Sequence, residues 1–320
     1  MKILVQIARI IVGVLFIFSG FVKLVDPIGS QYKFEEYFSE GVLNLEFLIP
    51  YALPFAIFLI IAEIVLGFAL LVGWKAKFTV RSLKVIILVF LFLTWYSAYY
   101  DKVTDCGCFG DAIKLKPWET FYKDVILTIL IFFIGFKIKF IKPILPKANP
   151  GLIVFLSLII SSVITYYVLA HLPIIDFRAY AIGKNIPEGM EYKEDGEIPP
   201  VHDFFLEDEQ NDLAPQILKM DKVMLVIMSN LDKSDNEAFP EIKKIADRAI
   251  AKGYAVYGVS ASFSDSIELT TKKFELPFEI LFCDETTLKT MIRANPGIMI
   301  LNKGTIVAKK NWSDIDEIKL

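Results

Sequence analysis

The residues with the clearest capacity for chemistry are Cys106 and Cys108, which flank Gly107 in the run Asp105-Cys106-Gly107-Cys108-Phe109-Gly110-Asp111. Two cysteines around a single glycine can close a small, strained disulfide ring, because glycine tolerates the backbone such a ring requires. Strained disulfides are oxidising and labile, suited to exchange more than to stapling. Asp105 and Asp111 oppose thiolate formation, since nearby negative charge raises a thiol pKa, and Lys102 and Lys114 partly offset them. The pair therefore carries two readings. It is an exchanging redox couple, or a stable local disulfide that shapes the loop before Pro117, itself a good first-turn helix residue. Zinc is disfavoured, because two thiolates need two more ligands and no histidine lies near in sequence. The third cysteine, Cys283, ends a predicted strand and is expected to be buried and inert.

Glu63 is the second candidate, placed within an apolar run as Ala62-Glu63-Ile64. A carboxylate at membrane depth is costly and marks a bundle interior or a cavity. The competing reading is a protonated or hydrogen-bonded packing residue. Ser19, Gly20 and Lys23 close the first apolar run; the small residues suit close helix packing, and Lys23 is expected to snorkel to the interface. Trp118, Tyr99 and Tyr100 read as interfacial aromatics.

These residues are positioned by a strongly apolar N-terminal half. The chain is 55% hydrophobic, with the excess before His171 and most acidic residues after it. A net charge of −3 gives no sign of nucleic-acid binding. Five runs, 3–25, 49–72, 83–100, 121–136 and 151–171, approach the length needed to cross a bilayer, and only helices satisfy a lipid-exposed backbone in such runs. The first run is interrupted by Arg9 and lacks a small-residue cleavage site, so it is expected to remain as a span. Lys75, Lys77, Arg81 and Lys84 lie between the second and third runs, and Lys137, Lys139, Lys142 and Lys147 between the fourth and fifth. The positive-inside rule then puts the N-terminus and both basic loops in the cytoplasm. The cysteine pair, and everything after the fifth run, faces outward. In a bacterial inner membrane that side is the oxidising periplasm, where a pair just outside the bilayer is placed to pass electrons to a lipid-soluble quinone.

Beyond the fifth span (146–172), residues 173–200 read as a proline-containing linker, and residues 201–320 as a soluble domain. Runs at 222–229, 254–261 and 278–282 read as strands, separated by helical patterns at 234–252 and 264–274. A helix at 284–293, which Asp284 is suited to cap, precedes two strands joined across Asn302-Lys303-Gly304. The order is β-α-β-α-β-α-β-β.

Ser19-Gly20-x-x-Lys23, Ala62-Glu63 and the run 104–111 followed by Pro117-Trp118 resemble the DoxX/MauE family over about residues 1–145. That resemblance implies a four-helix membrane core, to which this chain adds a fifth transmembrane helix. Some members are linked to methylamine-dehydrogenase maturation and others to thiosulfate–quinone oxidoreduction. The MauE branch is similar in arrangement to the DsbB and vitamin K epoxide reductase bundles, where cysteines at the outer face meet a quinone. This chain lacks a second outward cysteine pair. Residues 201–320 resemble the thioredoxin-like fold of the TlpA and peroxiredoxin type, with Asn295-Pro296-Gly297 where that fold places a cis proline. The stretch 229–234, where its nucleophile is expected, has no cysteine, which implies a partner-binding module. The expected function is an inner-membrane redox accessory protein that serves periplasmic clients through Cys106 and Cys108, with Glu63 as an in-bundle polar group. The other reading is a non-catalytic, membrane-anchored assembly factor with a structural Cys-Gly-Cys loop.

Overall fold

A computed structural model describes the chain except residues 104–106, 114, 144–148, 193–197 and 209. It divides into two units, Met1–Leu169 and Ala170–Leu320.

The first unit is helical. Its helices are α1 (Lys2–Leu24), α2 (Pro27–Phe38), α3 (Ala52–Val72), α4 (Ala76–Tyr100), α5 (Pro117–Phe136) and α6 (Pro150–Ala170). Four stretches are long and apolar enough to cross a membrane: Lys2–Leu24, Glu46–Val72, Ala76–Tyr100 and Pro150–Ala170. Together they make the N-terminal half a membrane-embedded bundle. Helix α5 spans about 30 Å at 1.5 Å per residue, but Glu119, Lys123 and Asp124 make its first half more polar than the other four.

Glycines set the spacing of α1 and α3. A β-carbon on Gly13 would lie 2.5 Å from a Leu71 methyl, and one on Gly67 would lie 2.7 Å from Ile17 Cγ1. Side-chain-free positions let the two backbones approach, as small residues do between membrane helices. At one end of this contact Arg9 is 1% exposed. Its guanidinium donates to the carbonyls of Leu70 (2.7 Å), Leu71 (2.6 Å) and Lys142 (2.9 Å), and to Gln6 Oε1 (3.0 Å). The interruption in the first apolar run is thus a cap: Arg9 satisfies last-turn carbonyls of α3 that have no intrahelical partner.

Two expectations for this half change. The acidic segment after α1 contains a further helix, α2, started by Pro27 and capped by Asp26, which accepts from Gly29 N at 3.0 Å. Lys77, Arg81 and Lys84, read as loop residues, lie in the first turns of α4. Long basic stems lie along apolar surface while their heads stay polar. Lys84, for example, stands 4.4 Å over the Phe132 ring.

The second unit is a mixed α/β domain. Five strands, β1 (Val223–Met228), β2 (Ala255–Ser260), β3 (Glu279–Phe282), β4 (Gly297–Asn302) and β5 (Thr305–Asn311), form one sheet of order β3-β2-β1-β4-β5. β1 pairs parallel with β2 and antiparallel with β4; β2–β3 is parallel and β4–β5 antiparallel. The Asn295–Pro296 peptide before β4 is cis. Asp284 caps α11 (Glu285–Met291), accepting from Thr286 N and Thr287 N. Every residue of β1 is buried, so both faces of the sheet need cover. Helices α9 (Ala238–Ala251) and α10 (Ser264–Phe274) cover one face, with Phe239, Ile242 and Ile245 in the core.

On the other face, the described part of the segment read as a linker packs into the domain. Tyr180, Ile186 and Val201 join Phe204 and Leu206 in the core on that side. Ile186 opens a short helix, α7 (Ile186–Gly189), and α8 (Ala214–Ile217) follows. The segment also pairs with the sheet edge, through Gly183 N to Ile306 O (2.8 Å) and Ile306 N to Lys184 O (2.9 Å). An ionic knot fixes its start. Asp176 accepts from Arg178 Nε (2.7 Å), Arg178 Nη2 (2.9 Å) and Lys309 Nζ (2.7 Å), and Lys309 also donates to Tyr180 O (2.9 Å). Burial alone would raise the Asp176 carboxyl, but Arg178 and Lys309 outweigh it and hold the group below the ordinary carboxylate range. Lys309 has the opposite balance: burial, then the charge of Arg178, bring it down to about 8 against the support of Asp176.

Two outcomes follow. Arg9→Ala leaves several buried carbonyls unpaired and is expected to cost about 3 kcal/mol, read as a lower midpoint for thermal loss of helical circular dichroism in detergent, with Arg9→Lys recovering part of it. Because the folded pKa of Asp176 is depressed, its contribution is complete above its unfolded pKa of roughly 4 and is lost as pH falls through the lower folded value. Acid titration of the full chain, followed by Trp312 fluorescence in a Trp74, Trp95 and Trp118→Phe background, should show this loss, and Asp176→Asn should flatten it.

Candidate functional site

The site forms where α1, α2, α3, α4 and α5 approach the cysteine loop. α1 brings Ser19 and Lys23, and α3 brings Glu63. Gly20 makes the approach possible, since a β-carbon there would lie 2.6 Å from Ile64 Cγ1 and 3.1 Å from Glu63 Cβ. Lys23 does not snorkel. It is 8% exposed and forms an ion pair with Glu63 Oε1, with Glu63 1% exposed. The close α1–α3 contact gives the ammonium a carboxylate partner within the bundle, and the opposite charge offsets its burial. The Lys23 ammonium also lies 5.1 Å from the centroid of the Phe90 ring.

Glu63 Oε2 is buried and has no hydrogen-bond partner among the described residues. An orphaned buried oxygen costs roughly 1–3 kcal/mol, which a purely structural carboxylate would not be expected to carry.

Cys108 is held from two sides. Its carbonyl accepts from Ser19 Oγ at 2.8 Å. The next residue, Phe109, is buried, 5.5 Å from the Phe18 ring centroid, with the Lys123 ammonium 4.6 Å over its face. The aromatic ring plugs the loop into the bundle, and the cation on its π-face adds to the anchorage. Gly107 and Gly110 take left-handed φ values of 66° and 50°, which fold the chain tightly around Cys108.

Two cavities meet at these residues. A cleft of about 520 Å³ is lined by Lys23, Lys33, Phe34, Glu63, Phe90 and Cys108, among others. A second, of about 320 Å³, is lined by Ser19, Glu63, Cys108, Lys123 and Asp124 with apolar neighbours. Glu63 and Cys108 belong to both. Asp124 is 1% exposed and pairs with Lys123 (3.1 Å) and with the Thr94 hydroxyl (3.2 Å), while Thr94 itself lines the larger cleft.

The structure thus brings Cys108 and Glu63, two of the three residues singled out from sequence, to one site. Cys106 lies outside the described residues, as do Asp105 and Lys114. Sequence reading did not assign Lys23, Thr94, Lys123 and Asp124 to the site. The available signals were Lys23 in the Ser19-Gly20-x-x-Lys23 motif and the Lys123-Asp124 dipeptide within the short apolar run at 121–136. The larger cleft is apolar-walled, with Lys23, Lys33, Glu63 and Cys108 among its lining residues. Among the described residues, no three His, Cys, Asp or Glu side chains gather as a metal site.

In the second unit the turn after β1 is closed by amides and hydroxyls. Ser234 Oγ donates to Asn230 O and Asn295 Oδ1 (both 3.0 Å), Asn295 Nδ2 donates to Asn230 O (2.8 Å), and Leu231 N donates to Ser262 Oγ (2.9 Å). Cys283 is a buried thiol, 1% exposed, which burial pushes up to about 12.

The family described as methylamine utilisation protein MauE matches residues 1–137. No curated protein and no solved structure matches the chain.

At pH 8 a thiol with a pKa near 12 holds about one thiolate in ten thousand. Iodoacetamide at pH 8 should therefore leave Cys283 unmodified in the folded chain and alkylate it only after denaturation, as read by peptide mass spectrometry.

Proposed function

We propose that this protein is an inner-membrane thiol–disulfide accessory protein that matures periplasmic clients through Cys106 and Cys108. The observation that carries the reading is that Cys108 and the buried Lys23–Glu63 pair line the same cleft. A thiol in a loop built only for shape has no need of a buried ion pair and two cavities at its side. The match to methylamine utilisation protein MauE supports a maturation role, and the basic loops support a cytoplasmic N-terminus.

In this reading a client thiolate attacks the Cys106–Cys108 disulfide and forms a mixed disulfide. The second client thiolate then displaces the remaining bond. The client leaves oxidised, and Cys106 and Cys108 are left as thiols carrying two electrons and two protons. A quinone held in the larger cleft would supply the two-electron, two-proton acceptor that restores the disulfide. Lys23 is suited to donate to its carbonyl oxygen, and Phe34 and Phe90 to flank its ring. The second unit, which we infer to be thioredoxin-like from its strand order and directions, carries no cysteine in the turn after β1. Its role is to bind the client.

Thiol trapping in native membranes tests this, with Cys283→Ser so that only Cys106 and Cys108 are read. Maleimide–polymer gel shifts across a redox titration should show a pair that converts at an oxidising potential. A disulfide that resists mild reductant, or thiols that stay reduced in working cells, would leave the non-catalytic assembly factor.

A further inference from the structure

Two features of the site are left over once the thiols have been assigned. One is Glu63 Oε2, buried and without a hydrogen-bond partner among the described residues. The other is the position of Glu63 in the walls of both cavities, with Cys108 in both as well. A carboxylate with one oxygen fixed by an ammonium and the other unpartnered, in cavity walls it shares with a cysteine, is a candidate to receive a proton. The charged groups around it are Lys23 from α1, Lys33 from α2, and Lys123 and Asp124 from α5. α4 contributes Thr94, which joins Asp124 to the larger cleft. Lys23 holds Glu63 Oε1 by an ion pair.

We propose that Glu63 is the proton acceptor of the Cys108 thiol. This rests on the redox reading above and adds the path of its protons. When the reduced pair is reoxidised, Glu63 Oε2 takes the Cys108 proton and the sulfur keeps the electron pair. The S–S bond closes on Cys106 as two electrons pass to a two-electron, two-proton apolar acceptor of the quinone class. Glu63 then gives its proton to the reduced acceptor, and the Cys106 thiol supplies the second, so two thiols become one disulfide and the acceptor gains two hydrogens. The chain needs no net charge movement through the bundle, and Glu63 returns to the carboxylate that Lys23 holds.

The test uses the full chain with Cys106→Ser and Cys283→Ser, so that Cys108 is the sole thiol, in native membranes. The rate of N-ethylmaleimide addition is measured from pH 5.5 to 9.5. With Glu63 present, the profile should carry an acid-side shoulder above the simple thiol curve. Glu63→Gln should remove the shoulder, slowing addition about tenfold at pH 6 and leaving the rate at pH 9.5 unchanged; Glu63→Asp should restore part of it. Equal rates for Glu63→Gln and its parent at both pH values, or a slowing by one common factor at both, would overturn the proposal. Should Glu63→Gln strand Lys23 and prevent assembly, Glu63→Gln with Lys23→Met removes both charges together and should likewise lack the shoulder. The redox reading fails separately. A Cys106/Cys108 pair that does not titrate sinks that reading, whereas a titrating pair with a profile indifferent to Glu63 sinks only this one.

Discussion

The buried ion pair between Lys23 and Glu63 is the constraint around which the N-terminal unit is arranged. Either charge alone inside an apolar bundle is costly, and the pair is tolerated only if the two helices hold it in fixed geometry. Gly13, Gly20 and Gly67 supply that geometry by removing the side chains that would keep α1 and α3 apart. At the far end of the same contact Arg9 closes α3 by hydrogen bonding to Leu70 O and Leu71 O. One helix pair thus carries a charged group at each end. One charge satisfies backbone, and the other stands beside the cysteine loop.

The loop depends on that arrangement in turn. Ser19, one turn before Lys23, fixes the Cys108 carbonyl, and Phe109 fills the space between Phe18 and Lys123. Cys108 is therefore placed by contacts to α1 and α5, and Lys123 links the loop's plug to the buried Asp124. Cavities survive between these groups because the polar side chains point at one another and leave their apolar neighbours as walls.

The second unit answers a different requirement. A sheet whose central strand is buried throughout must be covered twice. Helices α9 and α10 cover one face, and Tyr180, Ile186, Phe204, Leu206 and Ile217, with Leu288 and Met291 of α11, cover the other. Asp176, Arg178 and Lys309 pin the start of that covering segment, which turns proline-rich sequence into part of the domain.

The sequence by itself determined the two-part organisation, four of the five spans read from it, and the five strands within a residue or two of their ends. These follow from local rules of hydrophobic run length, alternation and capping, each readable within a window of a dozen residues. That Cys108 and Glu63 stand out was also legible, because a Cys-Gly-Cys run and a carboxylate in an apolar span are anomalies in their own neighbourhoods. Only the tertiary structure decided that Lys23 is the partner of Glu63, 40 positions away in sequence, that Asp124 and Thr94 share the site, and that Arg9 caps α3. It likewise decided that Tyr180 and Ile186 pack into the core beneath the sheet. The physical reason is common to all four: each depends on which helix or strand lies alongside another, and a lysine bound for a headgroup reads the same as one bound for a carboxylate until that neighbour is in place.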